Sequence, residues 1–376
     1  MSWSGLPSVS KETDSIRILH VAPTLFGTEG LFGGGERYPL ELARSLARHI
    51  ECELVTFGKQ KRVERDVSGL VVRVLAPVTY LHGHPAHPLA VGLLATLRDA
   101  DLVHTHHMRS APSRMAAAGA RIMGKHAVVT DHGLGGGGWF GLLPKLFDRF
   151  LTVSQYSAEI LHAPRARTRV IYGGADPERF APHRDDHRAG VLFVGRFTPH
   201  KGVDRLIRAL PEGAKLTLVG SAGHDTHKPE SEYPQYLSEL AAGRSIRFAT
   251  NVSDLGLPVL YRSARVFVLP SVHETCYGRR IEISELLGLS VLEAMASGTP
   301  VICSRVGGVP EIVTDGVTGF LVEPGNVDEL RERINILLTD NALAGRMGRA
   351  ARESVLERFT WDKCAERCLE SYAELV

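Results

Sequence analysis

Short apolar runs alternate with amphipathic stretches along the chain, an order typical of a parallel sheet covered by helices. The run at 16–23 predicts a strand, and the segment at 35–49 predicts a helix because its apolar residues recur every three or four positions. Further apolar runs at 101–107, 126–133 and 149–154 continue the series, with helical patterns between them. This alternation predicts a doubly wound α/β domain.

The same alternation starts again after 172–190, a stretch rich in glycine, proline and charged residues that suits a linker. A chain of 376 residues is also too long for one ordinary core. We therefore predict an α/β protein with two Rossmann-like domains, at 1–175 and 176–355, and a last helix within 356–376.

Composition and charge narrow the class of protein. The formal net charge of +2 gives no argument for a nucleic-acid partner. Five scattered cysteines, with no secretion signal before them, predict reduced thiols and a cytoplasmic location. No run approaches the roughly 18 apolar residues of a membrane span, although contact with a membrane surface stays open.

The segment 285–301 places two carboxylates around a predicted helix start. Ser290 is a candidate N-cap and Gly298 follows the helix, so Ser290 and Glu293 could form a capping box. Alternatively, this helix start faces the crevice at the carboxyl ends of the strands, where it suits a diphosphate. Glu285 and Glu293 would repel phosphate, so in that case they fit neutral hydroxyl groups.

Two cations are predicted at the same edge of the sheet. Arg196 and Lys201 follow the first strand of the second half. They can neutralise a leaving diphosphate, or they can be ordinary solvated loop charges. A nucleotide sugar would satisfy all four side chains, because it carries ribose and sugar hydroxyls on either side of its diphosphate.

Two segments, VGRFTPHKGVDRLIRAL and SVLEAMASGTPVICSRVGGVPEIVTDGVTGFLVEPG, resemble the retaining glycosyltransferases of family 4. GGGERYPLELARSLA, DLVHTH and TDHG are similar to further segments of that family. The resemblance implies the GT-B fold, in which two Rossmann-like domains face each other across a crevice. It also implies that the last helix crosses back to the first domain.

The same resemblance implies transfer of a hexose-type sugar, with retention and without a metal or other cofactor. The donor, a nucleotide diphosphate sugar, is then a substrate. A UDP-sugar is favoured, and a GDP-mannose-dependent transferase acting on a lipid-linked or polysaccharide acceptor is the alternative. The acceptor is left open between a small molecule, a glycan and a lipid-linked molecule, and the oligomeric state is left open too.

The residue pattern and the resemblance together give the candidate site. The candidate catalytic residues are His132, Arg196, Lys201 and Glu285. The candidate donor contacts are Gly34, Gly35, Arg196, Lys201, Gly220, Val252, Glu285, Leu287, Gly288, Leu289, Ser290, Val291 and Glu293. The candidate acceptor contacts are Glu36, His106, His107, Arg109 and His132.

The chain departs from the family pattern beside the first glutamate. Leu286 and Leu287 replace the Gly-Phe that usually follows it, and 273–284 looks like an insertion of about a dozen residues. Glu274 has the family's spacing from the preceding strand, whereas Glu285 has its spacing from the following helix. We favour Glu285, because the sugar must be held relative to the phosphate-binding helix.

Several other groups of residues could suggest a metal, redox or lipid site, and we interpret most of them as structural. Asp99 and Asp101 start a strand far from the predicted phosphate site, and the histidines of 82–87 lie in a proline-rich loop without partner ligands. Cys364 and Cys368 are expected to be packing residues. The segment 133–151 combines four glycines with an apolar helical pattern; we expect an acceptor loop and a packed helix, with a lipid-facing patch as the alternative.

Two other classes of function fit the sequence less well. An NAD-type oxidoreductase is disfavoured, because GGGERYP is not the GxGxxG fingerprint and no acidic residue ends the second strand. A nucleotide-sugar-binding subunit without activity is disfavoured by the complete set of Arg196, Lys201, Glu285 and Glu293.

Overall fold

The structure is a computed structural model that describes residues 16–25, 34–83, 87–132, 142–183, 187–222 and 229–376. The side chains of residues 24, 25 and 36 are outside the described part. Two parallel sheets, each covered by helices, divide the chain into a first and a second half.

The first half contains one large sheet and a short hairpin. Its strands are β1 (Arg17–Leu25), β2 (Glu51–Phe57), β3 (Arg62–Arg65), β4 (Val71–Leu75), β5 (Thr79–Tyr80), β6 (Pro88–Leu89), β7 (Leu102–His106), β8 (His126–Thr130), β9 (Arg149–Thr152) and β10 (Thr168–Val170). Eight of them form the sheet β10-β9-β8-β7-β1-β2-β4-β3, in which only β3 is antiparallel to its neighbour, and β5 pairs with β6.

The second half contains a six-stranded parallel sheet in the order β13-β12-β11-β14-β15-β16. Its strands are β11 (Val191–Val194), β12 (Leu216–Val219), β13 (Ile246–Ala249), β14 (Val266–Leu269), β15 (Val301–Ser304) and β16 (Gly319–Val322). The strand order reverses between β11 and β14 here, and between β1 and β7 in the first sheet. Such switch points are where open α/β sheets bind ligands.

Twelve α-helices cover the sheets in the part of the chain that is described. They are α1 (Gly34–Leu46), α2 (Leu93–Thr96), α3 (Ala111–Ile122), α4 (Gln155–Leu161), α5 (Val203–Ala209), α6 (Tyr233–Ala241), α7 (Leu257–Ser263), α8 (Leu289–Ala296), α9 (Val309–Ile312), α10 (Val327–Thr339), α11 (Asn341–Arg358) and α12 (Trp361–Ala373). Among these residues, no helix combines the length and the apolar character that crossing a membrane requires. The predicted fold class, two Rossmann-like sheets in an α/β protein, is confirmed; the domain limits at 175 and 355 stay predictions.

The last helix, α12, returns to the first half and packs against α1. The ring of Trp361 meets that of Tyr38 edge-on, with centroids 5.2 Å apart. Ser45 donates a 2.6 Å hydrogen bond to Asp362, and Tyr372 bonds to His104 across 2.6 Å. The last residues of the chain therefore complete the layer that supports α1.

The apolar helix expected near 139–147 is not formed where the structure describes that segment. Residues 133–141 lie outside the described part, so the expected acceptor loop and the alternative of a lipid-facing patch stay predictions. Only a single 3-10 turn, Leu143–Leu146, follows, with Pro144 inside it. Leu143 and Phe147 are buried in the core, so this end of the segment packs inward.

Three buried histidines lie side by side on the face of the first sheet under α12. His20 bonds to His106 across 3.1 Å, and both ring nitrogens of His104 are bonded, to Tyr372 and to Thr130. The three rings are close enough to share a metal ion, with ligand atoms within 4.8 Å of one another. Since His104 already uses both nitrogens, we interpret the group as a hydrogen-bonded layer.

These histidines should make the protein lose stability as the pH falls. Burial lowers the pKa of His20 to about 3, so below about pH 6.5 the unfolded chain binds a proton that the folded chain does not. His20→Leu should therefore remove about 2 kcal/mol of the stability loss between pH 7 and pH 5, measured by urea unfolding. The control is His49→Leu, at an exposed site. Equal pH dependence in all three proteins would contradict this account.

Candidate active site

An ion pair joins the two strands at the switch point of the second sheet. Lys201, in the turn after β11, pairs with Oε1 of Glu285, which follows β14 along the chain. Ser271 donates a 2.9 Å hydrogen bond to the same oxygen. The Glu285 residue is only 8% exposed, so it is a nearly buried carboxylate with its own counter-charge.

The insertion is a small hairpin that leaves the sheet edge and returns to it. The backbone of Glu274 forms an antiparallel β-bridge with that of Arg280 across the hairpin, and Glu274 is exposed. Ser284 donates a 2.6 Å hydrogen bond to the carbonyl of Val272, which brings the returning chain back beside the strand end. Glu285 therefore lies where the chain would continue without the insertion, and Glu274 lies on the hairpin.

The loop that carries Glu285 is backed by a glycine pair. A Cβ on Gly307 would lie 1.7 Å from the carbonyl oxygen of Glu285, and its φ is +55°. The first half also holds this loop, because Ser154 donates a 2.6 Å hydrogen bond to the carbonyl of Leu286. The position of Glu285 is therefore fixed from both halves of the chain.

Cations surround the turn after β11. Arg196 is exposed at the end of β11, and His200 lies between it and Lys201. Burial, and then the charges of Lys201, Arg196 and Arg279, lower the pKa of His200 to about 3. Arg279 belongs to the insertion and was not predicted, although the pair of arginines at 279–280 was a signal for it. This electropositive edge suits an anionic ligand.

Helix α8 begins one residue before the predicted N-cap. Its N-cap is Gly288, with φ of +103°, and Ser290 lies in the first turn. The capping box between Ser290 and Glu293 is not formed, because both oxygens of Glu293 are bonded elsewhere. The predicted donor contacts Leu289, Ser290 and Val291 thus form the first turn of α8. The N–H of Val291 bonds to the carbonyl of Gly288 across 3.0 Å, which leaves those of Leu289 and Ser290 at the open end of the helix.

Glu293 is held by two residues that the sequence did not single out. Arg37 of α1 donates a 2.7 Å hydrogen bond to Oε1, and Tyr261 donates a 2.8 Å hydrogen bond to Oε2. Arg37 directly follows Glu36, a predicted acceptor contact whose side chain lies outside the described part. The contact between α1 and α8 brings the switch points of both sheets together.

His132 follows β8 and packs against two other rings of the first half. Its ring lies 4.8 Å from that of Tyr38 and 4.7 Å from that of His107, and its Nε2 is buried without a partner among the described residues. Burial, and then the charge of His107, hold the pKa of His132 well below its usual value. His132 is therefore a neutral imidazole with one buried nitrogen that has no partner among the described residues.

A proline in α1 fixes His107. Pro39 has no N–H, so it leaves the carbonyl of Gly35, four residues earlier, without its helical donor. The ring of His107 hydrogen-bonds the backbone of Gly35. His107 itself has a φ of +63°, a conformation that non-glycine residues seldom adopt.

The remaining predicted site residues differ in how far they are buried and in where they lie along the sheets. His106 has no exposed surface and sits beneath His132, so it is placed to support that ring and not at the crevice surface where an acceptor contact was predicted. Arg109 is exposed after β7. Gly220 and Val252 follow β12 and β13, on the outer side of β11.

The apolar candidates join the two halves at the start of α8. Leu287 is buried, and a Cβ on Gly34 would lie 3.5 Å from the side chain of Leu289. Gly34 thus begins α1 directly against the first turn of α8.

Comparison with known proteins identifies the family to which the chain belongs. Residues 175–354 match the family described as Glycosyl transferases group 1, and residues 32–179 match Glycosyltransferase Family 4. The chain is similar to D-inositol 3-phosphate glycosyltransferase of Kribbella flavida, with 32% identity over 78% of this chain and 70% of that protein. It is 32% identical to the GDP-mannose-dependent alpha-(1-6)-phosphatidylinositol monomannoside mannosyltransferase of Mycolicibacterium smegmatis, over 59% and 58% of the two chains.

The fold is shared with HepE of Anabaena, solved in complex with UDP-glucose, at a TM-score of 0.76 and 21% identity. That match covers 96% of this chain and 100% of the other. The chain spans between 49% and 59% of the length of three further curated relatives. The two family matches and the Kribbella flavida relative confirm the resemblance seen in the sequence: the chain belongs to the glycosyltransferase family 4 group, which has the GT-B fold.

Proposed function

We propose that the protein is a retaining, metal-independent glycosyltransferase that moves a hexose-type sugar from a nucleotide diphosphate sugar to an acceptor hydroxyl. The observation that carries this proposal is the joint placement of Lys201, Glu285, Glu293 and the start of α8 at one edge of the second sheet. A carboxylate on either side of a phosphate-binding helix start fits a ligand with hydroxyls at both ends.

Each group then has a distinct role in the donor site. Lys201 and Arg196 neutralise the diphosphate together with the first-turn N–H groups of α8. Glu285 accepts hydroxyl groups of the sugar, and Glu293 accepts the ribose hydroxyls. Ser271 and Lys201 hold the Glu285 carboxylate in its orientation through the bonds described above.

The chemical step follows from this charge distribution. The bond between the anomeric carbon and the diphosphate oxygen breaks, and the acceptor oxygen forms a bond to the same face of that carbon. The acceptor proton passes to the departing diphosphate oxygen, so the leaving group serves as the base. In this proposal His132 stabilises the developing positive charge on the sugar, and the support is the family resemblance together with an Nε2 that has no partner among the described residues.

A UDP-sugar is our favoured donor, and the support is the family resemblance together with a fold neighbour that was solved with UDP-glucose. The named mannosyltransferase relative supports a GDP-mannose donor as the second candidate. The acceptor would approach along the first half, where His107 and Arg109 follow β7. A binding subunit without activity would bind a nucleotide sugar but never release the nucleotide from it.

The insertion offers a direct test of the sugar site. Glu285→Gln should abolish release of the nucleoside diphosphate from the donor while nucleoside diphosphate affinity changes less than about threefold, because only the sugar loses its acceptor. Glu274→Gln, on the exposed hairpin, is the matched control and should keep turnover near wild type. Calorimetry and a coupled nucleotide-release assay measure the two quantities. Loss of turnover in Glu274→Gln alone would reverse the assignment.

Lys201 tests the site of the leaving group. Lys201→Met should lower the turnover number by about 100-fold or more, because it removes a cation from the place where negative charge develops. Lys215 is exposed and precedes β12, so it lies at the amino-terminal ends of the strands, away from Lys201. Lys215→Met should therefore leave turnover unchanged. Circular dichroism checks that both variants are folded. A folded Lys201→Met enzyme with full turnover would place the diphosphate elsewhere.

A further inference from the structure

One arginine of the first half binds two carboxylates of the second. Nη1 of Arg37 lies 2.7 Å from Oε1 of Glu293, and Nη2 lies 2.8 Å from Oδ1 of Asp254. The Arg37 side chain is 14% exposed and that of Glu293 is 7% exposed, so this pair is largely shielded from water. Asp254 is 55% exposed, and its bond contributes less for that reason.

Glu293 depends on the first half for its counter-charge. Its other oxygen is bonded to the hydroxyl of Tyr261, and burial, followed by the charge of Glu293, raises the pKa of that tyrosine well above its usual value. Tyr261 is therefore neutral. Among the described residues, Arg37 is the cation paired with Glu293. A nearly buried carboxylate without a cation is costly, so Glu293 is well accommodated only while α1 lies against α8.

Arg37 stays positively charged in this buried position. Burial lowers the pKa of Arg37, but the charges of Glu293 and Asp254 outweigh burial and raise the pKa overall. Arg179, after the first sheet, lies 3.3 Å from Asp254 and 3.8 Å from Glu41 of α1. The two halves are thus joined here by a small ion-pair network, in which the pair of Arg37 and Glu293 is the most buried.

We propose that Arg37 is a donor-positioning residue that acts through Glu293 and couples ribose binding to closure of the two halves. This inference rests on the proposed function, because it takes Glu293 as the ribose-binding carboxylate. The planar fork of Arg37 fixes the Glu293 carboxylate between Nη1 and the Tyr261 hydroxyl, which leaves its remaining lone pairs for the 2′- and 3′-hydroxyls of a nucleotide. When the halves separate, Glu293 loses that orientation and its counter-charge together.

The test compares Arg37→Met with Arg44→Met. Arg44 lies on the same helix, but its two carboxylate partners, Glu41 at 3.1 Å and Asp66 at 2.8 Å, both belong to the first half. Arg37→Met should weaken nucleoside diphosphate binding by between about tenfold and a hundredfold, as expected for losing a hydrogen bond to a charged group. Arg44→Met should stay within about twofold of wild type.

Two further readouts separate positioning from general damage. Wild-type protein should bind the ribonucleotide more tightly than its 2′-deoxy analogue, and Arg37→Met should lose most of that preference. Small-angle X-ray scattering of the protein without nucleotide should show a larger radius of gyration for Arg37→Met than for Arg44→Met. Arg37→Lys, which keeps the charge but loses the fork, should give intermediate affinity and serves as the second variant if Arg37→Met does not fold.

The outcomes distinguish this inference from the proposed function. If wild-type protein binds no nucleoside diphosphate, the proposed function fails. If wild-type protein binds and folded Arg37→Met or Arg37→Lys binds equally well with an unchanged 2′-hydroxyl preference, the inference is overturned. Tighter binding by either variant would also overturn it, because Arg37 would then be a competitor of ribose for Glu293.

Discussion

Two nearly buried carboxylates at one edge of a parallel sheet impose the constraint on which the site depends. Each needs a cation, and the chain supplies them from different places. Lys201 reaches Glu285 from the neighbouring strand of the same sheet, whereas Arg37 reaches Glu293 from the other half of the molecule. The first pair stabilises the site within the second half, and the second pair joins the two halves.

Several features of the fold serve these two pairs. The hairpin at 273–284 closes on itself, so Glu285 returns to the strand end despite the insertion. The absence of a side chain at Gly307 leaves room for the carbonyl of that glutamate. On the other side, α12 packs behind α1 and supports the helix that carries Arg37. The last helix is therefore linked through α1 to the proposed donor site.

Much of this arrangement could be predicted, because it is local in the sequence. The alternation of apolar runs predicted both Rossmann-like sheets, and the segments around Lys201 and Glu293 carried the family resemblance. The pairing of Arg37 with Glu293 could not be predicted, since the two residues are 256 positions apart. The capping box was a reasonable local prediction, but it is wrong because Arg37 and Tyr261 occupy the Glu293 carboxylate.

In the first half too, the local sequence pattern does not show which residues the fold buries. His106 ends a strand, as many ligand-binding residues do, yet the fold buries it beneath His132. Whether a strand-end side chain faces the crevice depends on the helix packed over it, and for His106 the ring of Tyr38, on α1, lies 6.4 Å away. The hydrogen bond between His107 and the backbone of Gly35 could not be predicted either. Pro39 and Gly35 are only four residues apart, but the sequence does not show that the turn after β7 lies beside α1.

The most direct test of the central claim is calorimetric titration, in the presence of a chelator, with UDP, GDP, dTDP and ADP and then with UDP-glucose, UDP-N-acetylglucosamine and GDP-mannose. We predict selective binding of one nucleoside diphosphate and of one sugar derivative of it, with no need for a divalent cation. Absence of binding across all seven compounds, or binding that appears only when a divalent cation is added, would contradict the account.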